Sequence, residues 1–178
     1  AIDEEAGRSG IQHEGLQRIA EIPFDPVRRR NAVLLHDEQG ALLVVRGAPE
    51  VVMDLASSLT PASRQAIDTW VARAGTRGER TIAIATRRLA PGTGTITYED
   101  ERDLDVAGVI SFTDPIKPST FRAVSTAREL GVSIRIITGD SPGVAGAVGT
   151  QIGLIDDPSA VLPGTDLQGM SAADQKAA

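Results

Sequence analysis

At 178 residues, 41% hydrophobic and 24% charged, the chain has the balance of a globular protein able to bury one sizeable core or two small ones. Its 18 basic and 24 acidic side chains give a net charge of −6, which argues against non-specific nucleic-acid binding. There is no cysteine, so disulfides and thiolate metal sites are excluded. No apolar run approaches the roughly 20 residues of a membrane helix, and no secretory signal is expected.

Residues 1–22 are acidic and polar at first, then weakly helical in pattern. Two short apolar runs, 31–36 and 41–46, flank Asp37-Glu-Gln-Gly40. This predicts an antiparallel hairpin with a four-residue loop and a glycine where positive φ is needed. Gly47-Ala-Pro-Glu50 turns the chain, and Pro49 suits the first position of a helix running to about Leu59. Thr60 and Pro61 predict the cap and first turn of a second helix. Its apolar residues Ala66, Ile67, Trp70, Val71 and Ala74 recur at helical spacing up to Gly75, and Trp70 is expected in the core. A strand follows at 81–86 and a loop at 90–95.

After residue 103 the rhythm changes. A strand is expected from Val106 to Phe112, then a helix carrying Phe121, Val124, Ala127 and Leu130 and stopped by Gly131. A second strand is expected over 132–137, then a small-residue helix to Gln151, stopped before Gly153. Strand, helix, strand, helix at this spacing predicts a parallel α/β unit. The chain therefore divides into an α+β domain over about 1–105, an antiparallel sheet with flanking helices, and a partial α/β domain over about 106–178.

Ligands of open α/β sheets bind beyond the carboxyl ends of the strands, where Asp114 and Asp140 fall. Thr138 and Gly139 offer a hydroxyl and an unhindered N–H to a phosphate oxygen, and Asp140 can orient a neighbouring cation. Both acids could equally be helix caps. Phe24, beside Arg28, Arg29 and Arg30, has the chemistry to stack on a nucleobase and meet its phosphates, or the ring could be core and the arginines a solvated face. Arg46 and Arg80 could each point into a cleft or into water. His13 and His36 lack ligand-spaced partners and suit surface or structural roles. No serine or cysteine triad is present, and Gly92-Thr-Gly94 is no P-loop because no Gly-Lys-Ser/Thr follows.

The order of these elements, from about Ile22 to Leu167, resembles the P-type ATPases, the ATP-driven cation pumps. The carrying residues are Phe24-Asp-Pro-Val-Arg-Arg-Arg30, Arg46-Gly-Ala-Pro-Glu50, Gly78-Glu-Arg-Thr-Ile-Ala-Ile-Ala85, Asp114-Pro115 and Thr138-Gly-Asp140. They stand where that family has its K-G-A-P-E, G-x-R-x-x-x-x-A, D-P-P and T-G-D motifs. The resemblance implies that Phe24 stacks on adenine with Arg29 near the nucleotide, that Arg46 and Gly47 line the adenine pocket, and that Arg80 contacts the phosphates. It also implies that Asp114, Thr138, Gly139 and Asp140 belong to a haloacid-dehalogenase-like phosphorylation domain, around the γ-phosphate.

Arg46 replaces the family's usual lysine and Ile116 its second proline. The D-K-T-G-T motif with the phosphorylated aspartate is absent from the sequence, as is T-G-D-G-x-N-D with its magnesium-binding aspartate. By this resemblance the chain is an ATP-binding cytoplasmic piece of a plasma-membrane pump, inactive alone, whose partners are ATP and the transmembrane and actuator parts of the same pump. ATP, and Mg2+ in the parent protein, are the implied cofactors. Phe-Asp-Pro-Val resembles the proton pumps, whereas the triple arginine, Asp100-Glu-Arg-Asp-Leu104 and Phe112-Thr-Asp-Pro-Ile-Lys117 look more like bacterial magnesium-transporting members. Two other readings are a stand-alone non-catalytic nucleotide-binding module and a dehalogenase-type phosphatase. The missing D-x-D pair disfavours the phosphatase.

Overall fold

In a computed structural model the chain is described over residues 15–177. The described residues form a five-stranded sheet in sequence order: β1 (Gln17–Asp25), β2 (Arg30–Asp37), β3 (Gly40–Gly47), β4 (Arg80–Arg88) and β5 (Asp105–Phe112). The first four are antiparallel neighbours, and β5 is hydrogen-bonded beside β4. Two helices lie between β3 and β4: α1 (Pro49–Asp54) and α2 (Pro61–Thr76). After β5 come α3 (Pro118–Glu129), α4 (Pro142–Gln151) and the short α5 (Gly164–Gly169) and α6 (Ala172–Ala177).

Packing divides the chain into two compact units. The first holds the described residues up to Val71 together with Thr81–Phe112. The second holds Ala72–Arg80 and the residues from Thr113 onward.

The β2–β3 hairpin forms and Gly40 has the expected positive φ, at 107°, but Asp37 and Gly40 pair with each other, so the connection has two residues rather than four. Alternation sets the first core. Ala32 and Leu34 on β2, Ala41, Leu43 and Val45 on β3, and Ala83 and Ala85 on β4 are buried on one face. Val52 of α1 and Leu104 join that cluster, with Ile22 at its edge. Pro49 opens α1 as expected, but the helix stops at Asp54 rather than near Leu59. The next backbone groups are taken by Leu104: its N–H donates to Leu55 O at 3.0 Å, and its carbonyl accepts from Ser57 N at 3.2 Å. A helix continuing past Leu55 would forfeit both bonds.

Helix α2 starts as read, with Thr60 Oγ1 accepting from Ser63 N at 3.1 Å. Its stripe is shallower than expected. Trp70 is 39% exposed and lines an open apolar groove with Ala66, Ile67, Gly108 and Val109, so it is not a core residue. Residues 17–22, weakly helical in pattern, belong to β1. They are recruited by hydrogen bonds to β2 that no local pattern announces.

In the second unit, Val124, Val144 and Ile152 are buried along with Ala74 from the last turn of α2. Helices α3 and α4 fall where periodicity put them, each followed by a glycine at φ 71°, Gly131 and Gly153. The strand expected over 132–137 does not form. Among the described residues no strand lies beside it, and a β-strand without a ladder partner leaves its backbone groups to water. Val132 and Ile136 are accordingly exposed and Ile137 is 100% exposed. No parallel α/β unit is present among the described residues, and β5 pairs with β4 instead. Among the described residues no helix is long and apolar enough to cross a membrane.

Candidate functional site

The expected nucleotide residues of the first unit gather at the β1–β2 turn and the end of β3. Phe24 is the instructive case. Two residues after the buried Ile22, simple alternation would point it into the core. The register instead shifts between Ile22↔Ala32 and Asp25↔Arg30, inserting a bulge that re-aims the strand end. Phe24 is 61% exposed, so core packing does not account for it.

Asp25 organises the turn that follows. Its Oδ1 accepts from Val27 N at 2.7 Å and Arg28 N at 3.3 Å, and its carbonyl accepts from Arg29 N at 2.6 Å. Arg29 is held at φ 52°, a left-handed conformation that costs a side-chain-bearing residue roughly 1–2 kcal/mol. Its guanidinium, about half exposed, pairs with Glu50 at 2.6 Å, so the last residue of the Arg-Gly-Ala-Pro-Glu motif reaches back to the turn.

Gly47 has a steric reason of its own. A Cβ there would sit 2.4 Å from Arg29 O and 2.6 Å from Arg30 Cβ, because Ala48 N donates to that same carbonyl at 3.0 Å. Only glycine lets β3 pass this close to the turn. Arg46, one residue earlier, is exposed, and its Nε donates to Oδ1 of the buried Asn31 at 3.0 Å. That bond fixes the guanidinium plane while leaving other N–H donors outward. The structure thus places Phe24, Arg29, Arg46 and Gly47 on one turn and the strand end beside it.

The remaining expected residues belong to the second unit, and the structure brings four of them together. Arg80 forms a fork with Asp140, Nε to Oδ1 at 2.7 Å and Nη2 to Oδ2 at 3.0 Å, and reaches Asp114 Oδ2 at 3.5 Å. Thr138 Oγ1 donates to Asp140 Oδ2 at 3.0 Å and accepts from Asp140 N at 3.1 Å. The Arg80 hydrogen bond, helped by Thr138, holds the Asp140 carboxyl below the usual carboxylate range against the opposing effect of burial, and Asp140 raises Arg80 in return. Gly139, between them, has open space where a Cβ would be.

Neither acid is a helix cap. Ser141 caps α4 through its side chain, and Lys117 precedes α3. The cluster therefore presents a guanidinium and a hydroxyl among two carboxylates, beside a glycine with no side chain to crowd a ligand, an arrangement able to exchange a carboxylate for a phosphate on Arg80.

Three participants were not legible as such. Glu101 is buried and pairs with Arg28 and Arg30, Tyr98 lies under the Arg28 guanidinium at 3.7 Å, and Asn31 anchors Arg46. The one sequence signal was the resemblance of Asp100-Glu-Arg-Asp-Leu104 to magnesium-transporting members, which does not say that Glu101 is buried. His36 Nε2 donates to the Thr93 carbonyl at 2.9 Å, a structural role as expected, while His13 lies outside the described residues.

The sequence model of the P-type ATPase cytoplasmic domain N matches residues 6–119. Among curated proteins, the chain is 35% identical over 86% of its length to "Magnesium-transporting ATPase, P-type 1" of Salmonella typhimurium. It is 32% identical over 95% to the protein of the same name in Escherichia coli. To "Probable cation-transporting ATPase F" of Mycobacterium bovis it is 30% identical over 94%. The aligned part covers only 18% of the first relative and 20% of the other two, so the chain spans about a fifth of their length. A match over more than half of the chain, on an antiparallel sheet with flanking helices and with the ordered motifs where that family has them, places this chain in the P-type ATPase family, as its cytoplasmic domain N.

Proposed function

We propose that this chain is the ATP-binding part of a cation-transporting P-type ATPase, cytoplasmic in a plasma-membrane pump and working with that pump's transmembrane and actuator parts. The observation that carries the reading is Phe24: a large aromatic ring held 61% in solvent by a bulge, beside Arg29 and Arg46, where no demand of the core keeps it. An exposed ring with nearby planar cations fits an adenine and its phosphates. In this reading adenine stacks on Phe24, Arg46 and Gly47 border it, Arg29 faces the nucleotide, and Arg80 takes the phosphates.

The second unit would be part of a dehalogenase-like phosphorylation domain, with Asp114, Thr138, Gly139 and Asp140 around the γ-phosphate. The acceptor would be an aspartate that this sequence does not contain. Phosphoryl transfer consists largely of positioning and charge neutralisation, which in this reading the Arg80 cluster would help to supply. Mg2+ would accompany the nucleotide's phosphates, and no residue of this chain is assigned to it. The magnesium-transport names of two relatives make magnesium the first cargo to test in the whole pump.

Titration calorimetry with ATP tests the site. Phe24→Ala should weaken binding by about 1–3 kcal/mol through lost base stacking. Equal affinity in the two proteins removes Phe24 from the site.

A further inference from the structure

The three consecutive arginines are not equivalent. Arg29 points outward to Glu50, whereas Arg28 and Arg30 turn the other way and converge on one carboxylate. Glu101 receives both: Arg28 Nη2 and Arg30 Nε (2.6 Å) share its Oε2, and its side chain is wholly buried. Tyr98 closes the other side, its ring 3.7 Å from the Arg28 guanidinium carbon. Both donors use Oε2, and Glu101 Oε1 and Arg28 Nη1 are buried without a hydrogen-bond partner among the described residues.

That is a poor arrangement for stability alone. A buried ion pair with unsatisfied atoms does no better than apolar residues of the same volume, and its best-attested use is to fix one geometry. The geometry fixed here is the turn itself. The clamp grips the residues on both sides of Arg29, and Arg30 pairs with Asp25, next to Phe24. With both neighbours anchored inward, Arg29 is held at φ 52° and its side chain reaches Glu50.

We infer that Glu101 is a positioning residue for nucleotide binding: by clamping Arg28 and Arg30 it sets the β1–β2 turn so that Phe24 and Arg29 present one fixed surface to the base and its phosphates. This rests on the reading of Phe24 as the base platform. It also implies that, of the triple arginine, Arg29 alone carries ligand charge, while Arg28 and Arg30 neutralise the buried carboxylate.

The test uses two variants that keep every charge. Glu101→Asp shortens the clamp by one methylene, and Arg28→Lys replaces a planar fork by a point charge. Both should fold, as read by thermal melting followed by circular dichroism, and both should bind ATP about tenfold more weakly, the scale expected of a loosened site. In the Phe24→Ala background the Glu101→Asp effect should largely vanish, because a clamp that acts by aiming the ring cannot act once the ring is gone. A merely structural glutamate would instead lower the melting temperature and leave ATP affinity unchanged in the folded protein. Wild-type affinity in both charge-keeping variants, with Phe24→Ala still impaired, overturns the positioning role alone. Wild-type affinity in Phe24→Ala overturns the base platform as well. Full additivity of the two losses would show that Glu101 acts without Phe24 and would sink the inference.

Discussion

Phe24 and Asp140 show how a single residue's role is decided by what surrounds it. For Phe24, high exposure means that removing the ring should leave unfolding free energy within about 0.5 kcal/mol of wild type, even though ATP binding falls. Asp140 is tied to Arg80 and Thr138, and its folded pKa lies below its ordinary value. Such a carboxylate contributes stability above its unfolded pKa, and that contribution is lost as pH falls through the lower, folded value. The second unit should therefore be destabilised below about pH 4, where an unperturbed aspartate begins to protonate. Since Arg80 is nearly half exposed, solvent screening limits the effect to about 1 kcal/mol or less, and added salt should shrink it. Urea melts of wild type and Asp140→Asn between about pH 3 and 6, spanning the ordinary aspartate value, check this. The asparagine variant should show the shallower pH dependence, and parallel curves would contradict the assignment.

At the scale of elements, the β1–β2 turn and the end of β3 form one piece. Ala48 N reaches Arg29 O, Arg30 pairs with Gly47, and Glu50 returns to Arg29. The Arg-Gly-Ala-Pro-Glu segment thus builds the turn as well as bordering it. Gly47→Ala would press a methyl group against backbone, which cannot yield as a flexible side chain can. It should destabilise the first unit by about 1–3 kcal/mol, the range for overpacking, and displace Arg29 in the same step. Chemical denaturation measures the first effect, and loss of ATP affinity in the still-folded fraction measures the second. An alanine variant as stable as wild type would show that the turn can move away. The opposite end of the hairpin is fixed separately, where Arg88 grips Asp37 through two bonds of 2.7 Å.

For the whole molecule, the two units differ in how their backbones are satisfied. The first has five hydrogen-bonded strands, whereas residues 132–137 of the second have no strand partner among the described residues and leave Ile136 and Ile137 in solvent. Amide exchange should therefore be faster across 113–177 than across the strands of the first unit, with 132–137 among the fastest. Equal protection in the two units would contradict this. The same chain should bind ATP without releasing phosphate, since no residue of the Arg80 cluster stands free as a nucleophile: Asp114 and Asp140 both face the guanidinium. A phosphate-release assay that gave turnover above background, abolished by Asp140→Ala, would overturn that expectation.

The sequence by itself determined the hairpin, α2, α3, α4, β4 and the existence of β5. Proline and glycine punctuation, a cap such as Thr60 and the periods of two and 3.6 residues act over a few neighbours and are written in the chain. It also carried the ordered motifs that identify the family. Tertiary structure alone decided the rest, because each remaining feature depends on residues distant in sequence. The bulge that turns Phe24 outward follows from pairing with β2. The early end of α1 follows from hydrogen bonds to Leu104. β5 took β4 as its neighbour, and the expected strand at 132–137 had none. The three arginines, alike when read in a row, were sorted into one outward cation and two inward ones by a carboxylate 71 and 73 residues away. No local pattern encodes that choice, since it is made only when the chain folds back and a buried charge must be neutralised.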